Sequence, residues 1–272
     1  VSRILLFQRL IPVLLLRNGQ LVQSKKFSRY QIVGNPQSMV QRLSDWACDE
    51  LIYLDISQDD SYDLRREDLK VPNRHSIADI IKDVARKAFM PLTFGGKIRT
   101  PEDAAFRIKN GADKVSINTA AYKSPELITQ IANRFGAQCV VVSIDAQDLG
   151  EGSYKVFVEN GRTPTEYSPA EWSHIAEDRG AGEILINSID RDGSRLGYDL
   201  MLIEQVVEAV NIPVIALGGV GEWEHFRQGL EAGASAAAAA NIFYYTENSV
   251  FNAKSYLYQN HQNVREPMLM RI

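Results

Sequence analysis

Acidic residues at the ends of apolar runs are the first places in this sequence where chemistry can happen. Asp145 closes the run VVVSI. A carboxylate there faces a partly desolvated site, which raises its pKa and suits general acid or base work. Structural hydrogen bonding is the competing role. Asp55 ends an earlier run, and Asp190 and Asp192 flank Arg191 after a later one. Two glycine pairs are the second feature. Gly95-Gly96 and Gly218-Gly219 each end an apolar run, and the next runs end at Asn118-Thr119 and Ala240-Asn241. Glycines let backbone N–H groups approach a phosphate, and a following helix adds its positive end. Tight turns are the plainer use of a single pair. Two pairs at equivalent places point to paired anion sites and an anionic or doubly phosphorylated ligand.

The elements that must carry these residues follow from periodicity. Apolar runs recur at Ile11–Leu16, Leu51–Ile56, Pro91–Gly96, Lys114–Thr119, Val140–Ala146, Glu183–Ile189, Pro213–Gly219 and Ala236–Phe243. They are continuous rather than alternating, as in parallel strands buried on both faces. Helical patterns lie between them. His75–Ala88 places Ile77, Ile80, Ile81, Val84 and Ala85 on one face. Thr100-Pro101, Ser124-Pro125 and Ser168-Pro169 read as helix starts with a hydroxyl cap and proline in the first turn. Gly111, Gly180 and Gly233 read as the left-handed residues that end helices. Eight strands alternating with eight helices predict an α/β fold, a (β/α)8 TIM barrel forming one domain over 1–272. A doubly wound open sheet is the alternative, but no strand-linked GxGxxG supports it.

Two stretches break the alternation. Ser57–Arg74 holds four aspartates, one glutamate, three arginines and one lysine, and reads as a long loop on the active face. Tyr154–Arg162 reads as a short hairpin turning at Asn160-Gly161. The chain also repeats itself. Ile212–Ala234 resembles Met90–Ala112, with Pro91 and Pro213 lying 122 positions apart (213 − 91). Matching the glycine pairs puts one extra residue between the two copies. "DELIYLD" near residue 50 echoes "GEILINS" near residue 183. Two half-barrel repeats are the expected organisation.

Active sites of such barrels lie at the C-terminal strand ends. At the opposite face, Arg9, Glu50, Lys114 and Glu183 each stand at or just before the start of a strand. From spacing alone, ordinary ion pairing is the plainer reading, and a gate into the barrel axis is the functional one.

The net charge of −4 and pI of about 5.7 argue against general nucleic-acid binding. Basic pairs such as Lys25-Lys26 and Arg65-Arg66 read as solvated surface. Cys48 and Cys139 lack CxxC spacing and read as buried free thiols, which fits a cytoplasmic location. The apolar stretch Val1–Leu16 reads as a strand rather than a signal peptide, since no small-residue cleavage site follows it. No run is long enough to span a membrane. The four histidines have no metal-ligand spacing, and no cofactor is expected.

Several segments carry a family resemblance. "FGGKIRTPEDAAFRIKNGADKVSINTAA", "VVSIDA", "GAGEILINSIDRDGSRLGYDL" and "PVIALGGVG" resemble the cyclase subunit of imidazole glycerol phosphate synthase, the HisF family. The resemblance covers nearly the whole chain. It implies a HisH-type glutaminase partner, whose ammonia crosses the barrel axis to cleave and cyclise a bis-phosphorylated ribulosyl substrate. It implies phosphate contacts at Gly96, Asn118 and Thr119 on one side, and at Gly193, Gly219, Ala240 and Asn241 on the other. It makes Asp145 one of two catalytic aspartates, makes Arg9, Glu50, Lys114 and Glu183 the gate, and puts Asp113 near the glutaminase interface.

The sequence departs from the family pattern at several points. Leu15, in "PVLLLRNGQLV", stands where the other aspartate belongs. Gln23 replaces a mobile-loop lysine, Lys97 a third glycine, and Leu217 and Asn241 stand for serines. Losing a general acid or base costs about 10²–10⁴-fold in rate. Ile11–Phe27 and Ala216–Gly219 resemble a second, HisF-like branch associated with surface-polysaccharide loci. That branch implies ammonia supply to an N-acetyl-sugar amidotransferase. The expected function is therefore a HisF-like subunit of a glutamine amidotransferase complex, handling ammonia and a phosphorylated small molecule. An active cyclase of histidine biosynthesis is the alternative. A related half-barrel phosphosugar isomerase ranks last, because it too needs an acid–base group from each half.

Overall fold

The computed structural model describes residues 6–57, 62 and 76–269. The charged segment Ser57–Arg74, apart from Ser57 and Tyr62, lies outside the described residues, as do Arg65-Arg66 and His75. Strand β1 (Arg9–Arg17) opens the barrel and continues into a hairpin, β2 (Gln20–Lys25) and β3 (Arg29–Gly34), before helix α1 (Pro36–Asp45). Then come β4 (Leu51–Asp55), α2 (Ile77–Ala85), β5 (Leu92–Gly95), α3 (Pro101–Lys109) and β6 (Lys114–Ile117). A short helix α4 (Thr119–Lys123) precedes α5 (Glu126–Phe135). The second half runs β7 (Val140–Asp148), the short strands β8 (Tyr154–Val158) and β9 (Thr163–Pro164), α6 (Pro169–Asp178), β10 (Glu183–Ser188) and α7 (Leu200–Ala209). It ends with β11 (Val214–Leu217), α8 (Trp223–Glu231), β12 (Ala236–Ala239) and α9 (Ser249–Gln259).

Strands β1, β4, β5, β6, β7, β10, β11 and β12 pair in parallel in that order, and β12 returns to β1. The expected (β/α)8 barrel is the fold. Its core has two parts. Inside the barrel, Ile11, Val13, Ile52, Val141, Leu185, Ile215, Ala236 and Ala238 pack together. Between strands and helices lies a larger layer, with Tyr53 stacked on Phe94 and Phe226 on Phe243. This double burial is why the strand sequences are continuously apolar.

The half-barrel repeat holds, with one correction. β5 and β11, the helix caps Thr100 and Glu222, and β6 and β12 all keep the offset set by Pro91 and Pro213. No residue intervenes. Gly96 (φ 94) therefore matches Gly218 (φ 103), and Lys97 (φ 57) matches Gly219 (φ 98). The backbone is left-handed at both positions, so geometry overrides the match of glycine pairs by eye. A Cβ at Gly96 would lie 2.1 Å from the Asp55 carbonyl oxygen.

Thr100 and Ser168 cap α3 and α6 in capping boxes, as expected. Each such cap is worth about 1 kcal/mol. Ser124 is not a cap. Helix α4 ends on it, so Pro125 takes the position before α5 without a side-chain bond. The fourth strand stops at Ile117 and the eighth at Ala239, because the backbone turns into helical geometry at Thr119 and Asn241. The hairpin β2–β3 has no clear signature in the sequence. Gln20–Gly34 alternates too weakly to announce itself. The Asn160-Gly161 turn is present, and β8 also pairs antiparallel with β7. Cys48 is buried, whereas Cys139 is only partly so, because it ends a one-turn helix at the strand entrance. Among the described residues, no helix is long and apolar enough to cross a membrane.

One buried ion pair fastens the floor. Lys254 of α9, 3% exposed, reaches Asp49 at 2.8 Å, and the second Asp49 oxygen accepts from the Leu10 amide at 2.9 Å. Lys254→Met strands a buried carboxylate. It is expected to cost about 3–5 kcal/mol of stability, read from urea unfolding. Pairing it with Asp49→Asn should restore most of that loss. An unchanged midpoint in the single variant would show the pair contributes nothing.

Candidate functional site

The C-terminal strand ends surround a cavity of about 830 Å³. Asp145 stands in its floor, 7% exposed, at the end of an interior-facing row on β7. It accepts hydrogen bonds from the Asn118 side chain at 2.9 Å and the Asn187 side chain at 3.1 Å. Desolvation pushes its pKa up to about 6, against the pull of those two donors. A carboxylate so poised exchanges protons near neutrality.

The register identifies its counterpart in the other half. Asp145 pairs across β7–β10 with Asn187. Leu15 pairs across β1–β4 with Leu54. Leu15 thus occupies the position of Asp145, and Leu54 that of Asn187. The first half lacks both the acid and the amide that orients it. Leu15, Leu54 and Leu217 form one apolar side of the cavity, against the inner barrel core.

The other strand-end acids are engaged elsewhere. Asp55 accepts from the Ser57 hydroxyl at 2.5 Å, the Ser57 amide at 3.0 Å and the Tyr62 hydroxyl at 3.1 Å, and it lies 3.9 Å from the Lys97 ammonium. Asp192 accepts from the Ser24 hydroxyl at 2.7 Å and the Phe27 amide at 3.2 Å. Burial raises the Asp192 pKa against these donors. It pins a turn in which Lys26 (φ 51) and Phe27 (φ 53) are both left-handed without being glycine. That strain costs roughly 1–2 kcal/mol per residue. Asp190 accepts from the Asp148 amide.

Gly96, Asn118 and Thr119 line the cavity together, with Lys97, Arg99 and Lys123 beside them. Lys97 also lies over the Tyr62 ring at 5.7 Å. Behind Gly96, the buried Arg107 reaches its carbonyl at 3.4 Å, and burial lowers the Arg107 pKa. Of Gly193, Gly219, Ala240 and Asn241, only Ala240 faces the cavity. The β2–β3 hairpin lies over Gly193 and Asn241. The Asn241 amide donates to the Ser24 carbonyl at 2.8 Å, and a Cβ on Gly193 would meet that oxygen at 2.6 Å. Gln23 bonds to Tyr245 and to Gln31, away from the mouth.

At the opposite end, four charged side chains close the floor. One Arg9 nitrogen reaches Glu50 at 2.5 Å and Glu183 at 2.8 Å. The Lys114 ammonium reaches the other oxygen of each, at 3.0 and 3.1 Å. The ring alternates in sign and is fully bonded. Burial alone would lower the Arg9 pKa, but Glu183 and Glu50 outweigh it and hold it above its ordinary value. Asp113 is exposed beside the ring and accepts from the Leu92 amide at 2.8 Å.

A family model described as "Histidine biosynthesis protein" matches residues 9–249. The chain belongs to that family. As a HisF-like barrel it keeps the fold while its mouth is asymmetric: the second half carries Asp145 and Asn187 where the first half carries Leu15 and Leu54. Reading the sequence does not single out Asn187, Tyr30 or Arg107. Asn187 leaves a trace, an amide inside the apolar run ILINS, but its bond to Asp145 depends on strand register. Among the described residues, no cluster of three or more His, Cys, Asp or Glu suited to a metal is found.

Proposed function

We propose that this chain is the barrel subunit of a glutamine amidotransferase complex. It takes ammonia from a HisH-type glutaminase at its floor and delivers it to an anionic ligand at the mouth, or onward to a sugar amidotransferase of surface-polysaccharide synthesis. The observation that carries this reading is the contrast between the two ends: a complete charged ring below, and a mouth with one acid above. An alternating ring at the start of the axis holds back ions. The apolar interior above it favours a small neutral molecule over a charged one. Leu6, Phe7 and Phe89 are exposed just before the starts of β1 and β5, at the same floor, where a partner would cover them. Gly96, Asn118 and Thr119, with Lys97, supply the site for one anionic group of the ligand.

A second reading, an active cyclase of histidine biosynthesis, draws on the raised pKa of Asp145 and on Asp192 at the cavity wall. The bis-phosphorylated ribulosyl substrate with excess ammonium separates the two, because ammonium bypasses any glutaminase. The purified barrel is expected to show no turnover, and Leu15→Asp alone should not restore it, since Leu54 offers no orienting bond. Robust turnover by the unaltered chain would establish the cyclase reading instead.

A further inference from the structure

Arg17, Lys26 and Arg162 converge on a second cavity, of about 460 Å³, beside the mouth. It opens where the turn of the β2–β3 hairpin faces the turn between β8 and β9. The rings of Phe27 and Tyr30 and the side chain of Asn160 complete its wall, and no carboxylate lines it. Arg17 lies over the Tyr30 ring at 5.0 Å. Among the described residues, none of the three cations forms an ion pair with a carboxylate. Glu159 lies near Arg162 and Asp192 near Tyr30, but neither lines the cavity, so the three cations around it repel each other and a bound anion relieves that repulsion. Two guanidinium groups also present planar donor pairs that match phosphate oxygens.

Phe27, Tyr30, Asn160 and Arg162 line the mouth as well. The two spaces adjoin at these residues, within the reach of one small ligand. The glycine-rich corner opposite the first anion site opens to the mouth only at Ala240, because the hairpin is bonded down over Gly193 and Asn241; Asn241 lines a separate cavity of about 300 Å³ with Arg195. The turn that covers that corner is the one that presents Lys26 to the annex.

We propose that this annex is an anion subsite, taking the second phosphate or the diphosphate group of a small ligand that spans the mouth. The placement of the ligand's first group at Gly96, Asn118 and Thr119 rests on the reading given under Proposed function; the annex stands on its own cations and cavity.

Isothermal titration of the full chain with inorganic pyrophosphate at low ionic strength tests this. Two classes of site are expected, both weakening as salt screens them. Arg17→Gln/Arg162→Gln should weaken one class by at least about tenfold, the loss of charge-assisted bonds. Lys97→Gln should weaken the other. If the double variant does not fold, Arg162→Gln alone, on an exposed turn, reads the same class. Unchanged binding in the arginine variants overturns the annex while leaving the first site intact. A single class lost only in the arginine variants supports the annex and overturns the first site. A second class lost in Asn241→Leu but kept in the arginine variants places the group under an opened hairpin and overturns the annex, as does no binding at all.

Discussion

Asp145→Asn is expected to lower glutamine-dependent product formation by the assembled complex by about 10²–10⁴-fold, the usual cost of losing a general acid or base. The same substitution should stabilise the fold at neutral pH. The folded-state pKa lies near 6, above that of an ordinary carboxylate, because the side chain is desolvated. Between the ordinary value and about 6, the folded chain binds more protons than the unfolded one. Stability is therefore full at low pH and falls as pH rises through that window. Raising the carboxyl from its ordinary value to about 6 corresponds to about 2–3 kcal/mol. Asparagine removes that penalty. It can also keep both contacts, since Asn187 has an unpaired buried oxygen that an amide flip would offer to it. Urea unfolding should show Asp145→Asn more stable by about that amount at pH 7.5, with the difference nearly gone at about pH 3 to 4, near and below the ordinary carboxylate value. In the parent chain, turnover should change about an inflection near pH 6, rising if Asp145 is the base and falling if it is the acid. Unchanged turnover would remove Asp145 from the chemistry. A pH-independent stability difference would show that its carboxylate is well solvated.

Lys114→Met should uncouple the two ends of the barrel. Lys114 holds one oxygen of each glutamate, and Arg9 holds the other. Without the ammonium, two carboxylates face each other across the opened ring. In the assembled glutaminase complex, glutamine-dependent product formation is expected to fall by about tenfold or more, the equivalent of about 1.4 kcal/mol. Reaction driven by added ammonium should hold, because it enters at the mouth. Stability should drop by about 1–3 kcal/mol, less than for a fully buried pair, because the ring is partly open to solvent. Lys114→Arg keeps the charge and should recover most of both losses. If glutamine-dependent synthesis were untouched in Lys114→Met, the ring would be a stability feature and the ammonia-delivery reading would lose its main support.

Periodicity alone determined a good part of this protein. The continuous apolar runs could only be strands buried on both faces, and their alternation with capped helices left a closed parallel barrel as the architecture. Thr100-Pro101 and Ser168-Pro169 marked helix starts correctly, because a hydroxyl cap and a first-turn proline act through local bonds. Asp145 was legible because a carboxylate at the end of an apolar run stands out whatever its neighbours. The rest needed the tertiary structure, because it depends on register and on contacts between distant residues. Only strand pairing shows that Leu15 and Leu54 replace an acid together with its orienting amide. Only the constant offset of the strands and caps, with left-handed backbone at both Gly96 and Lys97, shows that Lys97, and not Gly96, matches Gly219. Only closure of the barrel brings Arg9, Glu50, Lys114 and Glu183 within bonding distance. The β2–β3 hairpin, held down by Asp192 from the other half of the chain, decides which parts of the mouth a ligand can reach. No local pattern encodes such a contact, because the energy that fixes it comes from residues far apart in sequence.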